Sequence, residues 1–176
     1  MDGSSKANER LMLKQYKYDL IGEIELPEQT LTGKKIQMCM QADQTEELWK
    51  GFMQELMPQR KGVRPEELFS VELFPEGLSI KDFDAQTTFE KWAAIHVSDK
   101  PDGMELDSIV IPAGKYVKLV YKGSVGYYHQ FAAELFGEVL PGMGLEVADR
   151  PHFNIMTPKY RGMDYASEEE VYVPVK

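Results

Sequence analysis

Apolar positions recur along the chain with two different periods. Over residues 18–26, Ile21, Ile24 and Leu26 read as a strand, and Pro27 ends it because proline cannot donate to a sheet ladder. Thr32-Gly33 opens a second strand, with Ile36, Met38 and Met40 on one face of residues 35–40. The period then changes. Asp43 followed by Glu46 predicts a helix start, and Leu48, Trp49, Phe52, Met53, Leu56 and Met57 recur at helical spacing up to Pro58. Residues 68–74 and 89–97 complete a strand-helix-strand-strand unit, the first of these two strands being closed by Pro75.

The same order follows again. Residues 33–38 (Gly-Lys-Lys-Ile-Gln-Met) match residues 114–119 (Gly-Lys-Tyr-Val-Lys-Leu), 81 positions on (33 to 114). Tyr128, Phe131, Ala132, Leu135, Phe136, Val139 and Leu140 form a second amphipathic stripe, expected to be capped by Ser124 and ended by Pro141. Pro58 to Pro75 and Pro141 to Pro158 both span 17 positions (58 to 75, 141 to 158), and a strand at residues 169–175 answers the one at 89–97. The expectation is an α+β domain of duplicated strand-helix-strand-strand modules, at about 18–98 and 108–176, joined by a link rich in Asp, Pro and Gly at 98–108. Residues 1–17 read as a flexible tail with a short, helical Leu11-Met12-Leu13 patch.

Alternation along strands separates two faces. Val171, Val173 and Val175, Ala93, Ile95 and Val97, and Phe153 with Ile155 suit packing under the helices. The opposite side is then expected to carry Glu170 and Tyr172, Trp92 and His96, Asn154 and Met156, and Glu72 with Phe74. Two helices cover one side of a sheet, so this aromatic and acidic side is expected to form a ligand groove, its aromatic walls burying apolar area and attracting cations. Each member also has an ordinary structural reading: Trp92 as a cap on the sheet, Glu168-Glu169-Glu170 as a solvated charge run, Met156 and Phe74 as packing residues.

Composition narrows the function. The chain has 176 residues, 43% hydrophobic and 28% charged, the make-up of a folded globular domain. A net charge of −9 repels phosphate backbones, and the one dense basic stretch, residues 59–64, is followed at once by Glu66-Glu67, so direct nucleic-acid binding is not expected. The single cysteine, Cys39, sits in an apolar run and reads as a core thiol. No signal-peptide run and no membrane-length apolar segment occur, which points to a cytoplasmic protein without membrane contact. His96, His129 and His152 make no metal-ligand spacing. Gly137, Gly142 and Gly144 follow a helix, the reverse of the phosphate-cradling order, and no nucleophile elbow or His-Glu-x-x-His motif appears. No catalytic residue, metal or cofactor is assigned.

From about Tyr18 onward the chain resembles the GyrI-like (gyrase-inhibitor-like) small-molecule-binding domains, which also serve as effector-binding domains of AraC-type and MerR-type transcription regulators. The resemblance is carried by residues 45–52 (TEELWKGF), 92–97 (WAAIHV), 111–116 (IPAGKY), 121–124 (YKGS), 149–153 (DRPHF) and 170–175 (EVYVPV). It implies two tandem modules related by a pseudo-twofold, with ligand in the cleft between them. It also implies a glutamate, followed two residues later by a tyrosine, in the seventh strand, where this chain has Asn154 and Met156. An amide supplies neither a negative charge nor a general base, so Glu72 or Glu170 would have to compensate.

About 18 residues precede the first module, too few for a helix-turn-helix domain, so a stand-alone member is expected. The leading expectation is a protein that senses or sequesters a small amphipathic, aromatic or cationic ligand, with Trp92, Asn154, Met156, Glu170, Tyr172, Glu72 and Phe74 lining the site. The alternatives are a hydrolase of strained or electrophilic metabolites and a gyrase-inhibitor-like protein-interaction module.

Overall fold

The alternating segments form strands, and two residues separate the first strand from the second, yet those two do not pair. In the computed structural model, which describes residues 14–176, β1 (Tyr16–Leu26), β2 (Gln29–Met38), β3 (Leu68–Leu73), β4 (Phe89–His96), β5 (Asp107–Ile111), β6 (Gly114–Gly123), β7 (His152–Met156) and β8 (Glu168–Pro174) make one antiparallel sheet. Their order is β1-β6-β8-β7-β3-β4-β2-β5. A helix α1 (Thr45–Gln59) follows β2; α2 (Tyr128–Glu134) follows β6 and continues through a π-helical stretch (Leu135–Val139) into a last turn, α3 (Leu140–Gly142). The expected α+β architecture is the one the chain adopts.

The first strand of each half crosses to the other half: β1 pairs with β6, and β5 with β2. Leu26 opposes Gly114 and Ile111 opposes Gln29, so the strand pairing repeats at a spacing of 85 residues (29 to 114). The Gly33/Gly114 match is therefore four positions out of structural register (81 against 85). Gly33 lies inside β2, where a side chain's Cβ would sit 2.0 Å from the Ala93 carbonyl oxygen.

This topology forces the sheet to roll. β1 and β2 stand six places apart in the strand order, about 29 Å in a flat sheet. Only Pro27 and Glu28 join them, three Cα steps that reach at most about 11 Å. Pro112 and Ala113 impose the same closure between β5 and β6. The sheet curls until its two ends approach, and it stays open because β1 and β5 do not pair with each other.

Three apolar clusters follow. The concave face holds Leu31, Phe69, Val71, Trp92, Ala94, Ile109, Ile111, Tyr116, Phe153, Ile155 and Tyr172 in one body. On the convex face, α1 places Leu48, Phe52 and Leu56 over Leu68, Ala93, Ile95 and Met156. There α2 and its continuation place Phe131, Leu135 and Leu140 over Val117, Leu119, Tyr121, Val171, Val173 and Val175.

Several element boundaries differ from the sequence expectations. β1 starts at Tyr16, inside the expected tail, while the Leu11-Met12-Leu13 patch lies outside the described residues. β5 occupies the end of the expected link and beyond it, as a five-residue strand too short to stand out. Gln44 rather than Asp43 is the N-cap residue of α1; the Asp43 carboxylate accepts from the Thr45 backbone N–H at 2.9 Å one turn edge earlier. Ser124 caps the short 3-10 turn Val125–Tyr127 by accepting from the Gly126 N–H, and Pro141 falls within α3 instead of ending a helix. Cys39 is half-buried at a β-bridge with Ala42, not in the core. Val97 is exposed, because the chain leaves the sheet at His96.

Candidate functional site

The seven residues singled out from the sequence divide between the two faces of the sheet. Trp92, Glu170 and Tyr172 lie on the concave face, as alternation predicts. Tyr172 opposes Phe153, Phe153 opposes Val71 and Val71 opposes Trp92, so the four side chains form one row across the sheet. The row is packed. Phe153 stacks on Tyr172 with ring centroids 4.6 Å apart and 12° between planes, and Trp92 is 2% exposed. The polar tips are satisfied locally: the Trp92 Nε1–H donates to Glu90 Oε1 at 2.6 Å and the Tyr172 hydroxyl to Glu170 Oε1 at 2.6 Å. Each ring also carries a lysine, Lys35 at 5.4 Å from Trp92 and Lys118 at 5.5 Å from Tyr172. Burial, with the Glu170 carboxylate beside it, drives the Tyr172 phenol far above its ordinary range. His96, on the same face, meets the edge of Phe69 and bonds Glu67 at 2.8 Å.

Asn154, Met156 and Glu72 lie on the convex face, among the helices, and Phe74 just beyond the end of β3 points its ring to the same side against His152. Phe153 and Ile155 take the concave positions that the sequence reading gave to Asn154 and Met156. The reason is that the roll turns the concave side of β7 into core while Asn154 falls between the two helices, so the apolar side of this strand is the one away from them.

Between the two helices the convex face changes character. The clusters under α1 and α2 leave the middle strands, β3 and β7, with Ser70, Glu72, His152 and Asn154 on this side. Ser70 opposes Asn154 at the centre of the sheet, where the two halves meet. Ser70, Glu72 and Asn154 are half-exposed although they sit on central strands, whereas their concave neighbours Phe69, Val71 and Phe153 are buried. Solvent thus reaches the middle of the sheet through a polar trough flanked by helices.

Two hydrogen-bonded sets occupy the trough. The Asn154 amide donates from Nδ2 to the Tyr128 hydroxyl of α2 at 2.9 Å and to Glu169 Oε2 of β8 at 2.8 Å. Lys91 Nζ donates to Glu72 Oε1 at 2.7 Å; the lysine is buried and the Glu72 side chain 34% exposed. Burial alone would raise the Glu72 carboxyl, but the attraction and hydrogen bond of Lys91 outweigh it and hold the group below its ordinary range. Burial raises the Glu169 carboxyl and, more strongly, the Tyr128 phenol. His152 is pushed down to about 4 by burial, so its imidazole is neutral at physiological pH. Aromatic rings close this end: Phe74 at 4.8 Å and Phe136 at 5.9 Å from His152, with Phe83 and Phe89 behind Phe74.

Sequence reasoning missed Glu169, Tyr128, Lys91 and His152. Glu169 was folded into a charge run, and its signal was its strand position: on β8 it shares a face with Val171 and Val173. A separate open depression of about 760 Å³ lies along β2 and the approach to β5, lined by Lys34, Lys35, Lys100, Glu105 and Asp107. Its charges are mixed, and Lys34 is already engaged by Glu55. Among the described residues no group of His, Cys, Asp and Glu is placed to hold a metal ion, and no helix is long and apolar enough to cross a membrane.

Known structures share this architecture. A putative transcription regulation protein from Staphylococcus aureus MU50 superposes with a TM-score of 0.62 at 16% identity, covering 91% of this chain and 98% of its own. SAV2435, solved bound to tetraphenylphosphonium, gives 0.65 at 15% identity, with 91% and 94% covered. An integron cassette protein from Vibrio cholerae gives 0.58 at 16%, with 91% and 99% covered. At these identities the likeness concerns the fold. No protein of curated function matches the chain. The model of the GyrI-like small molecule binding domain matches residues 21–176, and the chain belongs to that family.

Proposed function

We propose that this protein binds a small amphipathic or aromatic molecule in the trough between α1 and α2, above the junction of β3 and β7. The observation that carries this reading is the half-exposed Asn154 at the centre of the sheet. It bridges α2 through Tyr128 and β8 through Glu169, where a purely structural sheet would bury apolar side chains under its helices. The walls suit such a ligand: Tyr128, Phe136, Phe74 and Met156 supply apolar area, and a few polar groups give orientation. The Asn154–Tyr128 hydrogen bond closes the trough, and the π-helical stretch after α2 is a local irregularity at which that helix yields with little loss of regular bonding. The tetraphenylphosphonium bound to SAV2435, which has the same fold, supports a ligand of this size and shape. The two charged sites of the concave row are self-satisfied and serve folding.

The test is a thermal-shift screen of aromatic and amphipathic compounds, including lipophilic cations, against the wild type, Asn154→Trp and Trp92→Phe. A ligand stabilises the native state in proportion to the logarithm of its concentration over Kd. The wild type and Trp92→Phe should show the shift. Asn154→Trp, which fills the trough, should still unfold cooperatively, at a Tm lowered by the loss of its bonds to Glu169 and Tyr128, and show none. A shift that survives Asn154→Trp and disappears in Trp92→Phe assigns the ligand to the concave face and refutes the reading.

A further inference from the structure

We propose that His152 is a polar anchor at the aromatic end of the trough and that it selects ligands whose aromatic ring bears a neutral hydroxyl group; this rests on the trough being the binding site. The strand period puts His152 of β7 two positions from Asn154 on the same face, opposite Glu72 of β3. The residue is 9% exposed, and among the described residues its imidazole makes no hydrogen bond. The one buried side-chain nitrogen or oxygen sealed off without a partner is Arg150 Nη1, so the unbonded imidazole nitrogens are open to the trough.

The polar groups around it are engaged elsewhere. Glu72 accepts from Lys91 and lies more than 4.0 Å from either imidazole nitrogen, and Asn154 donates to Tyr128 and Glu169. Phe74 meets the imidazole at 4.8 Å with 86° between planes and Phe136 at 5.9 Å with 45°, so ring contacts hold it on two sides without satisfying it. Burial keeps it neutral at physiological pH, with one N–H donor and one bare nitrogen acceptor. A hydroxyl both donates and accepts, so it pairs with either tautomer. A methyl group of the same size pairs with neither and leaves the imidazole desolvated, while an anionic group calls for a protonated imidazole, which burial opposes. The flanking phenyl rings suit an aromatic body beside that hydroxyl.

Fluorescence titration with beta-naphthol and with beta-methylnaphthalene, which carries a methyl group in place of the hydroxyl, tests the inference in the wild type, His152→Leu and Asn154→Trp. The preference for beta-naphthol, taken from the ratio of the two Kd values, should fall about tenfold in His152→Leu, chiefly through weaker binding of beta-naphthol. In the wild type the nitrogen NMR signals of the His152 imidazole should move far more with beta-naphthol than with beta-methylnaphthalene; this readout does not depend on a variant folding. The same ratio in the wild type and His152→Leu, or imidazole signals that respond equally to both compounds, overturns the role of His152 and leaves the trough as the binding site. If Asn154→Trp binds both compounds as the wild type does, or the wild type binds neither, the trough reading falls, and the inference with it.

Discussion

Replacing Trp92 by alanine distinguishes the two faces of the sheet. The indole is 2% exposed, packs in the same body as Val71, Phe153 and Tyr172, donates to Glu90 and lies beneath Lys35. Truncating a buried tryptophan costs about 3–5 kcal/mol through lost transfer energy and the cavity left behind. For a domain of this length that corresponds to a fall in Tm on the order of 10 °C. Urea unfolding followed by circular dichroism should show the midpoint dropping at constant slope. The stabilisation added by a saturating ligand should stay the same as in the wild type, because the indole lies on the far side of the sheet from Asn154. A loss below about 1 kcal/mol together with abolished ligand stabilisation would mean that the concave face is an adaptable binding surface, not a core.

Three further outcomes follow from the same geometry. In the folded protein His152 takes up a proton only near pH 4, whereas in the unfolded chain it does so near 6.5, so the unfolded state binds the proton first as pH falls. Its contribution to stability is complete above pH 6.5 and is lost progressively toward pH 4, about 3 kcal/mol in all, and His152→Leu should flatten that part of the stability profile. Lys91→Met should cost roughly 1–3 kcal/mol, less than for a fully buried pair because Glu72 keeps some contact with water, and NMR titration should find the Glu72 carboxyl moved upward. Gly33→Ala should cost about 3 kcal/mol or more, since its Cβ would meet the Ala93 carbonyl oxygen at 2.0 Å; normal melting of that variant would contradict the close approach of β2 and β4.

The family, seven of the eight strands and the two helices were legible because period and order survive any rearrangement of partners. What the sequence concealed was a matter of phase. In β4 and β8 the stretches directly under the helices are aliphatic, Ala93 with Ile95 and Val171 with Val173, and the faces were separated correctly. In β7 the two sets are Phe153 with Ile155 and Asn154 with Met156; the contrast is there, but the roll that makes the side away from the helices the apolar one is set by pairings between strands distant in sequence. The same blindness hid Glu169, whose burial depends on Asn154 and Tyr128, 15 and 41 positions away in sequence (154 to 169, 128 to 169). Glu170, one residue on, lies on the concave face with Tyr172 and Lys118. β5 escaped notice because five residues with two buried isoleucyl side chains resemble a loop until β2 is beside them.

The crossing of β1 to β6 and of β5 to β2 makes the two halves a mutual clasp. Neither half can complete its own ladder, so a polypeptide comprising one half alone would have to recruit a twin, each donating its leading strand to the other. Cutting the backbone between β4 and β5 should therefore leave two pieces that reassemble when mixed and that, kept apart, are never folded as monomers.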